Sequence, residues 1–412
     1  MLRRWAVYLQ KVFDFRVRVA QLRDSRLKPR IPTANVWLCA LAMFALRLRS
    51  FHRLEQELRR AKRWESWVGA EKPSADTVGR VMSRLEGLRE LVVVLNRIAW
   101  RNKAIHLRPR ESYRVVAVDG HELWRSRARC CSECLVRHVQ VGDQTVLEYY
   151  HRVVMAQWIG VSPPAILDLE LIKPHEGEVV AARRLLKRLF SSYGRLIDVI
   201  SADALYLEAP FVRDVLGAGK HVVIVLKQEA RDLYQDAHRL RSLVEPQLIQ
   251  DGSRITRLWD LAELDSFSSL GRSVRVVWAE EKTVTRRLVG GKLQQKRQEA
   301  TWIWVTDLCA AVVPAHKIQR WGHDRWDLEN RGFNELVNLW HMNHCFIHNA
   351  HAVEALLLTL AVAFLTTYLF YERNLKPAAR LHLTRLALAT RLLEDFSVLG
   401  GISVWSAFRP PG

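Results

Sequence analysis

Three acidic residues have the types and the positions that metal-assisted chemistry needs. Asp119 follows a short β-branched segment, residues 113–118, and Asp203 follows an apolar segment, residues 196–202. Glu329 lies in a segment with helical spacing. Ligands in α/β folds commonly collect at the carboxyl ends of strands, and carboxylate oxygens suit Mg²⁺ or Mn²⁺. We interpret the three acids as a candidate catalytic site.

Two such metal ions, about 3.5–4 Å apart, activate a nucleophilic oxygen and stabilise the leaving oxygen when a phosphodiester is displaced. Taken singly, each acid has an ordinary alternative. An aspartate after a strand is often a turn residue or a helix cap, and a glutamate in a helix is often solvated. The order of the three acids and their sequence context favour the catalytic interpretation.

A second group of potential ligands lies between Asp119 and Asp203. Cys131 and Cys134 are separated by two residues, and His138 and His151 follow. Cysteine and histidine at such spacing suit tetrahedral zinc, so we predict structural zinc with the two cysteines as ligands. The alternative is a reduced loop in a cytosolic protein, since six cysteines are too few for a disulfide scaffold in 412 residues.

The basic residues are concentrated at the N-terminus. The chain has a net charge of +20, and residues 1–118 carry 26 basic and 10 acidic side chains, which leaves the remainder nearly balanced. An excess of this size indicates a polyanionic partner, either nucleic acid or an acidic membrane surface. The distribution favours a cationic DNA-binding module attached to a more neutral body.

A helix-turn-helix is the predicted form of the DNA contact. Residues 51–63 have helical spacing, a break follows, and Ser74 is the predicted N-cap of a helix over residues 74–88. Arg80 and Arg84 would then lie one turn apart on one face and contact DNA. The alternative is an ordinary helical hairpin with solvated arginines.

Beyond residue 110 the chain alternates strand-like and helical segments. They are, in order, strands over residues 113–118, 147–159 and 165–172, a helix over 176–190, a strand over 196–202, a helix over 207–216 and a strand over 221–226. This order predicts an α/β fold with a mixed sheet. Residues 251–306 alternate apolar and polar positions around a Gly290-Gly291 turn, which predicts a β-rich insertion.

One apolar run, Ala355–Phe370, has sixteen residues without a charge. Membrane spans usually need about 18–20 such residues, and this run is shorter and contains threonines. We therefore predict a buried core helix in a soluble, cytoplasmic protein, and the first residues lack a signal-peptide pattern. The alternative is a membrane-associated protein anchored through this run.

The segments around the three acids resemble those of a known family. VAVDG at Asp119, ADALY at Asp203, and RWDLENRGFNEL followed by WHMNH at Glu329 are similar to the DDE transposases of bacterial insertion sequences, in insertion-sequence family four. The resemblance covers about residues 110–370. It implies a ribonuclease-H-like core in which the three acids hold Mg²⁺ or Mn²⁺. It also implies a β-rich insertion in the interval of 126 residues between the second and third acids.

The C-terminal signature of that family, Tyr-x2-Arg-x3-Glu-x6-Lys, is matched in part. Arg325 and Glu329 match, whereas Gly322 stands at the tyrosine position and Leu336 at the lysine position. Many relatives place a lysine one residue later, where this chain has Val337. The missing lysine affects one DNA phosphate contact that the resemblance implies, and it removes no metal ligand. The resemblance implies that Arg325 positions a phosphate, and the alternative is a salt bridge to a neighbouring acid.

Two aromatic residues near the acids are further candidates for DNA contact. Tyr206 matches the second motif of the family and is expected near the displaced strand. Trp326 precedes Glu329 by three residues and is expected to stack on a flipped base. A core position is the alternative for Trp326.

These interpretations divide the chain into four parts. Residues 1–110 are a basic helical DNA-binding region, and residues 111–235 are the first part of the ribonuclease-H-like core. Residues 236–310 are the β-rich insertion, and residues 311–412 are the helical C-terminal part of the core with Glu329.

The predicted function is that of a DNA transposase, which cleaves and joins phosphodiester bonds at insertion-sequence ends. Its partners would be double-stranded DNA, as terminal inverted repeats and as target, and a second copy of the chain, because two ends must be joined. We expect it in the cytoplasm, associated with the nucleoid and not with a membrane. The alternative is a catalytically inactive or repurposed transposase that acts as a DNA-binding protein, which Gly322 and Val337 favour slightly.

Overall fold

The computed structural model describes residues 1–59, 61–69, 71–227, 231–289, 292–398 and 405. The chain forms two compact units. Unit one comprises Met1–Arg110, Gly120–Leu185 and Glu329–Gly412, and unit two comprises Glu111–Asp119 and Leu186–Leu328. This division cuts across the four predicted parts of the chain.

The helices of the described residues are short except for one of twenty residues near the C-terminus. They are α1 (Leu2–Phe13), α2 (Phe15–Val19), α3 (Thr33–Ala45), α4 (Phe51–Arg59), α5 (Ala61–Val68), α6 (Ala75–Met82), α7 (Leu88–Arg101), α8 (Glu178–Tyr193), α9 (Ala209–Gly217), α10 (Asp232–Arg241), α11 (Ala315–Asp324), α12 (Asn334–Trp340), α13 (Ala350–Leu369), α14 (Pro377–Leu381) and α15 (Arg385–Val398).

The strands of the described residues range in length from two to sixteen residues. They are β1 (His106–Leu107), β2 (Val115–Ser126), β3 (Leu135–Val141), β4 (Gln144–Ile159), β5 (Val161–Ser162), β6 (Ala165–Leu171), β7 (Val199–Ala202), β8 (His221–Val225), β9 (Gln247–Asp251), β10 (Arg254–Leu264), β11 (Val274–Val289) and β12 (Lys292–Thr306).

Helix α13 is at the centre of the helical part of unit one. Helices α3, α6 and α7 pack against it, which explains why residues 1–110 belong to the same unit as the C-terminal helices. The α13 segment is long and apolar enough to cross a membrane, with a mean hydropathy of 2.0, but 94% of its apolar stretch is buried. Its three threonine hydroxyls donate to backbone carbonyls at 2.6–2.8 Å, as in Thr359 to Ala355. This burial is typical of a core helix.

The predicted N-terminal helices form with different ends. Ser74 caps α6 as expected, because its hydroxyl accepts a hydrogen bond from the backbone nitrogen of Thr77 at 3.2 Å. Helix α6 ends at Met82, so Arg84 lies in the following turn, and the expectation that Arg80 and Arg84 share one helix is wrong. Both arginines are exposed. The preceding helix α5 extends into the predicted break, because its tryptophans are buried.

Antiparallel strands make up the sheet of unit one. Strands β3 and β4 form a hairpin, and β4 also pairs with β6. Strand β2 is next to β4 in the sheet order and enters unit one at Gly120. The prediction that this strand ends before Asp119 is wrong, because β2 continues to Ser126 and buries Leu123 and Trp124.

Unit two contains parallel strands that continue into the insertion. Strand β2 pairs in parallel with β7, and β7 pairs in parallel with β8. Strand β8 then pairs with β12, and the β12, β11, β10 and β9 strands follow one another in antiparallel order. The mixed α/β fold and the β-rich insertion are confirmed. The predicted Gly290-Gly291 turn lies outside the described residues.

Candidate active site

Asp119 lies on β2, and Asp203 directly follows β7, the strand that pairs in parallel with β2 in unit two. Val118 of β2 is paired with Ala202 of β7. Asp119 directly follows Val118, and Asp203 directly follows Ala202. Paired strands lie about 4.8 Å apart, so the aspartates follow at the same level of the sheet. Both residues are half-buried. The structure therefore brings two of the three predicted acids side by side.

Asp203 also has a local structural role. Its Oδ1 accepts a hydrogen bond from the backbone nitrogen of Leu205 at 2.8 Å and caps the short turn Ala204–Tyr206. This is the helix-cap role that the sequence left open. The bond orients the carboxylate, and a carboxylate has enough acceptor sites to bind a metal ion as well.

A buried arginine is bonded to the first acid. Arg325 Nη1 donates to Asp119 Oδ2 at 2.7 Å, and Arg325 is only 5% exposed. The salt bridge that was the alternative for Arg325 is therefore present. A buried charge is strongly destabilising without a partner of opposite charge. The carboxylate of Asp119 is therefore stabilised by a cation in this fold, the guanidinium of Arg325. Carboxylates on adjacent strands are also the hard donors that a divalent metal ion prefers, and these residues fit such an ion.

Buried side chains of α11 position Arg325. The residue follows directly after the helix, whose Ile318 and Trp321 are buried in unit two. Trp321 Nε1 donates to Glu111 Oε2 at 2.9 Å, and the Trp321 carbonyl accepts from Ser201 Oγ at 3.3 Å. Because Ser201 lies on β7, these bonds join α11 to the strand that precedes Asp203.

The residues that differ from the family signature lie at positions where neighbouring side chains leave little space or solvent. A Cβ at Gly322 would overlap the indole of Trp304, so a tyrosine does not fit there. Leu336, on α12 of unit one, is fully buried, and a lysine at that position would lose its hydration. Val337 is half-buried. Local packing therefore explains the residues at positions 322 and 336.

Trp326 lies at the exposed edge of an aromatic cluster in unit two. Its side chain is 41% exposed, and its ring meets Trp302 edge to face at 5.2 Å. Trp302 and Trp304 also contact His323, whose Nε2 lies 2.7 Å from Glu281 Oε1. Burial raises the pKa of Glu281, but the hydrogen bond from His323 holds it below its usual range. The predicted base contact of Trp326 stays a prediction, and its indole keeps exposed surface for stacking.

Tyr206 does not present its ring to solvent. The side chain is fully buried and packs against Phe211 with the ring centroids 5.2 Å apart. A direct DNA contact by this ring is therefore not supported by the structure, because burial leaves it no surface. The matching motif places Tyr206 in the core beneath the Asp203 turn.

Glu329 begins the last segment of unit one and is exposed. It lies in a π-helical turn, Leu328–Phe333, between α11 and α12. Such turns are rare and often occur at functional sites. Within unit one, Phe333 stacks on His121 at 4.7 Å, and His121 Nε2 is hydrogen-bonded to Asn343 Oδ1 at 3.0 Å. These contacts hold the π-helical turn against β2.

The predicted zinc ligands also come together. Among the described residues, Cys131, Cys134, His151 and His348 form a group whose potential ligand atoms all lie within 4.8 Å of one another. His348 was missed by the sequence analysis, and the density of histidines after α12 is the signal that could have found it. His138 is exposed on β3 and lies outside this group.

Comparison with known proteins identifies one family. A family model described as the transposase DDE domain matches residues 160–366 of the chain. The matched range contains Asp203, Arg325 and Glu329 and begins after Asp119. The chain matches no curated protein.

Proposed function

The chain belongs to the transposase DDE domain family, and from this membership we propose that it cleaves and joins phosphodiester bonds at the ends of an insertion sequence. The observation that carries the proposal is the register of β2 and β7, which sets Asp119 beside Asp203. We propose Glu329 as the third acid, in keeping with its place in the family signature. Insertion-sequence family four and a ribonuclease-H-like core are part of the same proposal.

Each residue of the candidate site has a separate role in the proposed reaction. Asp119, Asp203 and Glu329 would hold divalent metal, either Mg²⁺ or Mn²⁺. When bound, the metal supplies positive charge that activates water and stabilises the leaving oxygen. Arg325 holds Asp119 through its guanidinium, and the family signature is the basis for proposing that it also positions a phosphate. Trp326 offers an exposed indole face on which a displaced base can stack.

DNA binding is proposed for the basic N-terminal residues. Residues 1–118 carry most of the net positive charge, and Arg80 and Arg84 are exposed. Cationic side chains bind phosphates and release counterions, which supplies affinity without requiring sequence recognition. The proposed partners are the terminal repeats, the target DNA and a second copy of the chain. We propose a cytoplasmic, nucleoid-associated location, which the burial of α13 supports over a membrane anchor.

The test is strand cleavage of DNA that carries the element ends, with Mg²⁺ or Mn²⁺. Asp203→Ala should lower the cleavage rate by about 10³-fold, because metal ligands support several kcal/mol of transition-state stabilisation. Asp251→Asn removes an exposed carboxylate of the insertion and serves as the matched control, with wild-type cleavage expected. Equal cleavage by wild type and Asp203→Ala would remove Asp203 from the active site.

A DNA-binding protein without cleavage activity is the second candidate function. The departures at Gly322 and Val337 favour it slightly, since they remove side chains of the family signature. Wild-type protein that binds the element ends but cuts them no faster than Asp203→Ala does would support this alternative. Cleavage that depends on the divalent ion and on Asp203 would exclude it.

A further inference from the structure

Four side chains of unit one bring two sulfur atoms and two nitrogen atoms close together. The Sγ atoms of Cys131 and Cys134 are 3.7 Å apart, and His151 Nε2 lies 3.3 Å and 3.5 Å from them. His348 Nε2 lies 3.0 Å from the Sγ of Cys134. His348 is separated from Cys134 by 214 positions in the sequence, so the tertiary fold assembles the group.

Three of these four separations are close to those of a tetrahedral zinc complex, and the distance from His348 Nε2 to Cys134 Sγ, 3.0 Å, is shorter. With Zn–S near 2.3 Å and Zn–N near 2.0–2.1 Å, two sulfurs are about 3.8 Å apart and a sulfur and a nitrogen about 3.6 Å apart. A disulfide does not match, because a sulfur–sulfur bond is about 2.05 Å long. Two thiolates and two neutral imidazoles also neutralise Zn²⁺, so the complex can be buried without an unpaired charge.

The elements around the group hold the donors in place. Cys131 and Cys134 form a tight loop before β3, in which the backbone nitrogen of Cys131 donates to Cys134 Sγ at 3.3 Å. His151 is fully buried on β4. His348 directly precedes Asn349, whose side chain caps α13 by accepting from the backbone nitrogen of Ala352 at 2.9 Å. Each donor is therefore fixed by the start or the interior of a regular element.

A tryptophan packs against both imidazoles. The Trp124 ring meets His151 at 5.1 Å and His348 at 4.6 Å, in both cases edge to face. This packing orients the rings so that their Nε2 atoms face the thiols. Burial raises the pKa of Cys134 to about 11, and burial together with the nearby His348 lowers the pKa of His151 to about 4.

We infer that Cys131, Cys134, His151 and His348 form a structural zinc site. Four protein ligands close the coordination sphere, which is typical of structural and not of catalytic zinc. The site joins the β3–β4 hairpin to residues 341–349, the segment that follows α12. The same segment contains Asn343, which is hydrogen-bonded to His121 on β2. Zinc would therefore fix the connection between the π-helical turn of Glu329 and the long helix α13.

Metal content of the purified full-length chain tests the inference directly. We expect about one zinc per chain in the wild type and less than about one-tenth of that in Cys134→Ser and in His348→Ala. Cys130→Ser is the matched control, because Cys130 is an exposed neighbour outside the group, and it should keep the wild-type zinc content. Wild-type protein without zinc, or His348→Ala with full zinc content, would overturn the inference.

Cobalt replacement keeps the test decisive if the variants fail to fold. Wild-type protein in which Co²⁺ replaces the metal should show the strong visible absorption of a four-coordinate site and a thiolate-to-cobalt band in the near ultraviolet. Loss of both signals on addition of one equivalent of Zn²⁺ would support a shared site. Absence of the thiolate band would contradict ligation by Cys131 and Cys134. Neither readout depends on DNA cleavage, so the proposed function is not tested by it.

Discussion

The two units place potential metal ligands in the fold in different ways. Unit one contains the Cys131–Cys134–His151–His348 group, and unit two contains the Asp119–Arg325 pair. Both gather groups that can bind metal. In unit one the donors are thiols and imidazoles, which have uncharged forms and therefore pack closely without a counterion. In unit two Asp119 has the guanidinium of Arg325 bonded to it. The comparison teaches that soft donors can be assembled by packing alone, whereas a partly buried carboxylate comes with a cation of its own.

The two regions should therefore respond to different changes. Substitutions around Asp119 should affect cleavage and the stability of unit two and leave zinc content unchanged. Substitutions in the Cys–His group should affect zinc content first. The following changes separate the two regions, and the expected effects become smaller from one to the next.

Asp119→Asn should have the largest effect. The amide keeps the shape of the carboxylate but removes its charge, so cleavage should fall by about 10³-fold. Arg325 also loses its counterion, which should destabilise the fold by about 3–5 kcal/mol. Cleavage assays and thermal unfolding measure the two effects, and zinc content should stay at the wild-type value. Wild-type cleavage by this variant would contradict the assignment of Asp119.

Gly322→Ala should disturb the helix that positions Arg325. The added methyl group overlaps the Trp304 indole, and such overpacking costs about 1–3 kcal/mol. Gly217→Ala is the control, because a Cβ at that position has no neighbour within 4 Å, and its unfolding free energy should change by less than about 1 kcal/mol. Denaturant unfolding distinguishes them, and equal stability of the two variants would refute the close approach of α11 to β12.

Glu281→Gln should change how the free energy of unfolding depends on pH under acidic conditions. The pKa of Glu281 is lowered in the folded chain, so its contribution is present above the unfolded value, near 4.3, and is lost as pH falls through the folded value. The variant should be about 1 kcal/mol less stable at pH 7 and should lose less stability between pH 5 and pH 3. Glu299→Gln, at an exposed position, is the control. If the Glu281 variant and the wild type lose the same free energy of unfolding between pH 5 and pH 3, the prediction is contradicted.

Arg80→Ala should have the smallest effect and should separate DNA binding from cleavage. Loss of one phosphate contact should weaken DNA binding by about 3–10-fold and reduce the slope of log affinity against log salt by about one. Arg195→Ala removes an equal charge from an exposed position of unit two and should leave both quantities nearly unchanged. Titrations at several salt concentrations measure this, and identical slopes for the two variants would remove Arg80 from the DNA surface.

Several features of this fold could be predicted because they depend on neighbouring residues. The strand at residues 147–159 and the helix at residues 176–190 follow from local periodicity and agree with β4 and α8 within a few residues. The N-cap at Ser74 follows from the residue type alone. The end of β2 could not be predicted, because Gly120, His121 and Glu122 interrupt the apolar pattern. The strand continues beyond them because Leu123 and Trp124 are buried by distant elements.

The sequence by itself determined the three acids in their order, the DDE transposase family, the β-rich insertion and two zinc-ligand candidates. These depend on residue type and short spacing, which are local properties. The tertiary structure alone decided that Arg325 bonds Asp119, that Tyr206 is buried and that His348 completes the Cys–His group. Such contacts join residues up to 214 positions apart, and they arise from the burial of whole helices and strands, which no local pattern specifies.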